Sequence, residues 1–220
     1  MDDVFANSYP LKAGRAHEVT GHGSTAFAAI ACGIGSKSGS RTNHARPALW
    51  LTQGWRSDQL NPVGLSVFCD PHRMLLARVA DQKTMLACAE EALRSGAVST
   101  VVVEVGQALS FTAGRRLQLA AEMGGATGLL LIGEDMGNNA AESRWHCAPL
   151  FRQAVPGLAS SDSTLQRWQI IKNKSGTIGY WDIIWDAETR RVIVVSEAGE
   201  RPHYAATASD DAVCPHVAAE

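Results

Sequence analysis

Over residues 16–132, uniformly apolar runs alternate with stretches of helical spacing. Residues 16–20 read as a short strand entering the turn Gly21-His22-Gly23, after which Ser24 or Thr25 caps a helix carrying Phe27, Ala28, Ile30 and Ala31. Residues 48–51 are a continuous apolar run, the mark of a strand buried on both faces. After a connection punctuated by Pro and Gly, 74–79 predicts another strand. Residues 82–94 predict a helix, with Met85, Leu86, Ala89 and Leu93 on one face and Gly96 as its stop. The strongest parallel-strand signal is 100–105, followed by a helix over about 113–123 and a strand over 128–132. This alternation predicts an α/β fold whose mostly parallel sheet carries helices on both faces.

Beyond Gly133 the pattern changes. Segments at 143–149, 166–172, 178–185 and 191–196 read as strands joined by turns, which predicts antiparallel strands extending the sheet at its C-terminal edge. Residues 35–46 read as a polar, flexible loop. The end of the chain sets Glu197, Glu200, Asp210, Asp211 and Glu220 against Arg201 and reads as a mobile acidic tail. The organisation expected is an N-terminal segment over 1–13, one domain over 14–196 and a tail over 197–220.

Composition narrows the function classes. The 220 residues suit one sizeable α/β domain. With 45% hydrophobic and 19% charged residues, the chain has the balance of a packed protein. A net charge of −2 gives no overall field toward nucleic acid, so any DNA contact needs a local patch. Five cysteines, at 32, 69, 88, 147 and 214, form no C-x-x-C pair, which suits reduced thiols in a cytosol. Cys214-Pro215-His216 lacks a second ligand pair, so no metal site is expected. No secretory signal is readable, and no apolar run approaches the roughly 18–20 residues of a membrane helix. The expectation is a soluble, cytoplasmic protein without a cofactor.

A strand, a glycine turn and a helix in this order form the frame of a phosphate-binding loop, whose amides cradle phosphates while a lysine reaches the terminal ones. Counting the pattern G-x-x-x-x-G-K-S/T from Gly21 puts Ala26 at the second glycine, Phe27 at the lysine and Ala28 at the hydroxyl. The nearest lysine past the turn is Lys37, beyond the helix. Phosphoryl transfer rests on positioning and charge neutralisation, so losing the lysine and the metal-binding hydroxyl removes several kcal/mol of transition-state stabilisation, of the order such groups supply. Gly21, Gly23, Ser24 and Thr25 then reduce to a tight strand-to-helix turn able at most to hold a stray anion.

Several segments resemble the RecA recombinase. Ala92-Leu93-Arg94-Ser95-Gly96-Ala97-Val98 followed by Val101-Val102-Val103-Glu104 is similar to the helix and Walker B strand of RecA. The resemblance implies that Glu104 stands where an acid helps to hold Mg²⁺. Residues 14–21 are similar to RecA's first strand and loop. Gln53 falls at what resembles the catalytic-glutamate position, where an amide cannot polarise water as a carboxylate does. Gln169-Ile170-Ile171-Lys172-Asn173-Lys174 is similar to a RecA segment whose lysines reach the neighbouring subunit's nucleotide. Over about 14–196 the chain resembles the ImuA family, RecA-like accessory proteins of the bacterial translesion mutagenesis cassette. The order of His17-Glu18-Val19, Glu91 to Ala97, Ala141-Glu142-Ser143-Arg144-Trp145, Arg167-Trp168 and Asn173 to Gly179 carries that likeness.

The resemblance implies an adaptor in SOS-induced mutagenesis that binds ImuB and RecA and has no catalysis of its own. Two alternatives stand beside it. One is an inhibitor resembling SulA that sequesters FtsZ; the other is a weak ATPase recruiting Glu104, Lys172 and Lys174 across a subunit interface. Arg144 and Trp145 follow a loop similar to a DNA-contacting loop of RecA and are candidate contacts to single-stranded DNA or a partner, although Glu134, Asp135 and Glu142 make that loop acidic. Lys172 and Lys174, in i, i+2 phase, share one strand face as a candidate interaction patch. Trp181 and Trp185, with Ile183 between them, read as core. Without a recognisable N-terminal helix and strand of the kind that links RecA protomers, no self-filament is expected.

Overall fold

The apolar runs pair into one mixed sheet. The structure, a computed structural model, describes residues 3–35, 46–150 and 164–196. The expected polar loop lies outside the described residues apart from its two ends, as do the acidic tail and Cys214-Pro215-His216. Among the described residues the strands are β1 (Ala16–Thr20), β2 (Ala48–Gln53), β3 (Met74–Val79), β4 (Thr100–Glu104), β5 (Thr127–Leu131), β6 (Ser143–Pro149), β7 (Gln166–Asn173), β8 (Gly179–Asp186) and β9 (Arg191–Ser196). They lie in the order β3-β2-β4-β5-β1-β6-β7-β8-β9. The helices are α1 (Asp3–Ser8), α2 (Ser24–Gly35), α3 (Pro62–Ser66), α4 (Gln82–Ser95) and α5 (Phe111–Gly124).

The sheet is parallel from β3 through β6 and antiparallel from β6 through β9. This corrects one expectation. Residues 143–149 form no antiparallel extension beside β1 but run parallel to it, with Val19 opposite Trp145, and the direction reverses only at β7. Strand alternation records which face is buried and carries no record of direction.

Each face of the sheet carries its own core. On one face, α2 inserts Phe27, Ala28 and Ile30 against Trp145, Trp168, Trp181 and Trp185 of the C-terminal strands. On the other, α4 and α5 cover Leu51, Val101, Val103 and Leu130. Asp81 caps α4 by accepting from the Thr84 N–H at 2.9 Å, and Gly96 ends it in the left-handed region at φ +64°. Ser24 is the first residue of α2 rather than its cap, since the Phe27 N–H donates to the Gly23 carbonyl at 3.0 Å. Near the N-terminus a helix unseen in the sequence, α1, buries Phe5 in the aromatic core, where Tyr9 just beyond it also lies. Among the described residues no strand precedes β1, and no helix is long and apolar enough to cross a membrane.

His17 on β1 ties the first core to the start of β6. Its Nε2–H donates to the Lys12 carbonyl at 3.0 Å, and its Nδ1 accepts from the Ser143 hydroxyl at 2.7 Å. Ser143 Oγ in turn accepts from Trp145 Nε1–H. Burial pushes the imidazole down from 6.5 to about 4, against the opposing pull of the Lys12 carbonyl. The unfolded chain therefore takes up this proton as pH falls through 6.5 while the folded chain does not. Stability is expected to drop by about 3 kcal/mol between pH 6.5 and 4 from this residue alone, and to be unaffected by it above pH 7. Urea unfolding at pH 7 and pH 4.5 checks this; a His17→Asn variant should lose that part of the difference.

Candidate functional site

The strand-turn-helix frame at residues 16–35 brings α2 to the C-terminal ends of the parallel strands, where ligands of open α/β sheets bind. An open cleft of about 550 Å³ lies there, lined by Ser24, Thr25, Trp55, Arg56, Glu104 and Met136 among others. Three of the expected positions thus meet in one place: the helix start at Ser24 and Thr25, and Glu104 at the end of β4.

Several groups in and beside this cleft are bonded within the chain itself. Gly21, at φ +90°, turns the backbone against β6 so closely that any Cβ there would collide with the Cys147 carbonyl. The Gly23 N–H donates to that same carbonyl at 2.8 Å, and the Ser24 N–H donates to the Gly21 carbonyl at 3.1 Å. Two amides of the turn are therefore spent on internal bonds. Phe27 points away from the cleft. It is fully buried, with its ring 4.6 Å from Trp168 and 5.4 Å from Trp145.

Glu104 is held from two sides. Its Oε1 accepts from Trp50 Nε1–H at 2.8 Å, while its Oε2 accepts from the Thr52 hydroxyl at 3.2 Å and pairs with Arg56 at 2.8 Å. Trp50 and Thr52 are in i, i+2 phase on β2, paired beside β4, so their contact with Glu104 was open to a reading of strand faces. Arg56 was not, because it reaches Glu104 from the loop after β2. Gln53 is buried at the end of β2, and its Oε1 accepts from the indole of Trp55 at 2.9 Å. Trp55 itself is 72% exposed at the rim of the cleft, and no sequence signal marked it.

The other candidates gather around the loop between β5 and β6. Trp145 needs correcting as a candidate for stacking on DNA or a partner: it is fully buried among Tyr9, Phe27 and Trp168, and a base would reach it only by opening the core. Arg144, its neighbour on the opposite face, donates from Nε to Glu18 Oε2 at 2.8 Å. Glu18 is completely buried and also accepts the Asn138 N–H at 2.7 Å. The Asn138 side chain donates to the Leu109 and Ser110 carbonyls at the start of α5.

Lys172 Nζ donates to the carbonyls of Asn138 and Ala141, and Lys174 Nζ to that of Ala140. Here a β-bulge matters. Arg144 pairs with Lys172 but Trp145 pairs with Ile170, so one extra residue on β7 turns Lys172 onto the Glu18–Arg144 face. Lys172 and Lys174 do act together, as clamps on the carbonyls of their own 138–141 segment. Burial pushes the Lys172 ammonium below its ordinary value, with Arg144 adding to the shift and Glu18 opposing it.

Comparison with known proteins gives one consistent likeness. The chain is 29% identical to Protein ImuA of Caulobacter vibrioides over 209 residues, covering 88% of this chain and 80% of that protein. The same values hold for the proteins of strains NA1000 and CB 15. No family model matches the chain.

Proposed function

We propose that the chain, similar over 88% of its length to Protein ImuA of Caulobacter vibrioides, is a member of that family and a non-catalytic adaptor of error-prone translesion DNA synthesis, binding ImuB-type and RecA-type partners without turning over ATP. The observation that carries the reading is the Arg56–Glu104 ion pair at 2.8 Å. The Arg56 guanidinium neutralises the carboxylate that would hold a metal ion, and that carboxylate also accepts from Trp50 Nε1–H and the Thr52 hydroxyl. The donor set fits Mg²⁺ poorly, because a divalent ion there would have to displace a cation that is already paired. The residue at the lysine position of the loop lies in the core, and the lysines that could reach a neighbour's nucleotide are bound to their own loop. What is left to act with is surface.

Binding of the purified protein to a purified ImuB-type partner and to a RecA-type partner, each without and with ATP·Mg²⁺, tests the reading. Binding that is unchanged by nucleotide is expected. Failure to bind either partner, or capture of an FtsZ-type protein in their place, would contradict it.

A further inference from the structure

The outer face of α5 carries a row of large apolar side chains that the described residues leave uncovered. Phe111, Leu119 and Met123 are 62, 47 and 73% exposed, and they stand at i, i+8 and i+12 on one ridge of every fourth residue, which winds about 120° round the helix. Twelve residues span about 18 Å. The opposite face, with Leu117, Ala120 and Ala121, is fully engaged with the sheet, so α5 is apolar on two sides. A surface helix that needed only to cover the sheet would carry polar residues outward.

Charge on this ridge is one-sided. Arg116 pairs with Glu90 at 2.8 Å and Glu122 with Arg15 at 3.2 Å, one ion pair on each flank. Arg115, on that ridge between Phe111 and Leu119, is exposed and has no ion-pair partner among the described residues. The ridge therefore presents apolar anchors around a single uncompensated cation.

That arrangement excludes a second copy as a good fit. A parallel pairing sets Arg115 opposite itself. An antiparallel one, with Phe111 facing Met123, leaves the two Arg115 groups four residues apart, about 6 Å along the axis, with no free carboxylate on the ridge between them. A row spaced by multiples of four matches the groove of a facing helix.

We propose that this face of α5 docks an amphipathic helix of a partner protein, one that places apolar side chains on Phe111, Leu119 and Met123 and a carboxylate on Arg115. The proposal rests on the partner-binding reading above and adds the surface and the chemistry of what meets it.

The test measures affinity for the same purified ImuB-type and RecA-type partners with four variants. For one of them, the combined Phe111→Ser, Leu119→Ser and Met123→Ser variant is expected to bind roughly 30-fold more weakly or worse, as loss of clustered anchors does. Arg115→Glu should cost about tenfold through like-charge contact, with Arg115→Lys close to the parent. Val63→Ser, which removes an apolar side chain that is 76% exposed on α3, is the control and should change nothing. Circular dichroism and melting confirm that all four stay folded.

Parental affinity of the triple variant for both partners would overturn the docking face and leave the adaptor reading standing. If the unsubstituted protein binds neither partner, both fall. Loss of affinity in the triple variant but not in Arg115→Glu would overturn the acidic helix. A dimer that dissociates on the triple substitution would make the occupant a second copy and overturn it as well.

Discussion

Phe27→Lys, which puts an amine where the count G-x-x-x-x-G-K-S/T from Gly21 expects one, is expected to destabilise the protein strongly rather than create a nucleotide site. The Phe27 ring is fully buried, 4.6 Å from Trp168, 5.4 Å from Trp145 and 5.7 Å from Tyr9 by centroid. Removing a buried phenylalanine ring alone costs about 3–5 kcal/mol. An ammonium in that position must also shed its hydration or its proton, because the ring sits within an apolar, largely aromatic cluster. The sum, about 4 kcal/mol or more, is a large part of the 5–15 kcal/mol that holds a domain together. Phe27→Leu, which keeps an apolar side chain there, should cost far less. Urea unfolding of the two variants separates the outcomes; a soluble Phe27→Lys protein of parental stability would mean that the side chain can swing out to the cleft.

Arg144→Ala is the second large effect. Glu18 has no solvent exposure, and Arg144 supplies its counter-ion at 2.8 Å. Deleting one partner of a buried pair leaves the other charge uncompensated, which costs on the order of 3 kcal/mol. The same change releases the guanidinium bond to the Asn138 carbonyl, so amides of residues 133–142 should exchange with solvent faster than in the parent. Adding Glu18→Gln removes the stranded charge and should recover part of the loss. A double-mutant cycle by urea unfolding measures the coupling, and additivity of the two single changes would refute the ion pair as the anchor of this loop.

Much of this architecture can be read from the chain alone. The alternation of apolar runs with helical spacing places β1, β2, β4 and β5, because strands buried on both faces cannot hide their composition, and it places β3 by its apolar run although that edge strand is largely exposed. Trp168, Trp181 and Trp185 alternate with polar neighbours and are core, and Trp145 belongs with them by the same alternation. What escaped reading depended on pairing. The direction of β6 is set by its neighbour β1, and 143–149 has the same alternation whichever way it runs. Helix α1 is six residues long, too short to show a period; it places Phe5 in the aromatic core, and Tyr9 follows it there. The clamp role of Lys172 turns on a one-residue bulge that flips its face. Arg56 meets Glu104 across 48 residues of sequence, so neither residue predicts the other.

The cleft is the place where the adaptor reading can fail. Ser24, Thr25 and Glu104 still converge at the ends of the parallel strands. Hydrogen bonds to Cys147, Gly21, Trp50 and Thr52, with the Arg56 ion pair, now satisfy groups that a triphosphate and its metal would otherwise meet. Binding there would have to displace these contacts before any new one counted in its favour.

Thermal unfolding of the full chain at rising ATP·Mg²⁺, up to several millimolar, addresses this most directly. A ligand at 100 times its dissociation constant stabilises the folded state by about 2.7 kcal/mol, several degrees in melting temperature. A flat midpoint across the titration is the result expected. A midpoint that climbs with nucleotide, and loses that climb when Ser24 and Thr25 are replaced by alanine, would place a working triphosphate site where the chain's own groups are held to have closed one.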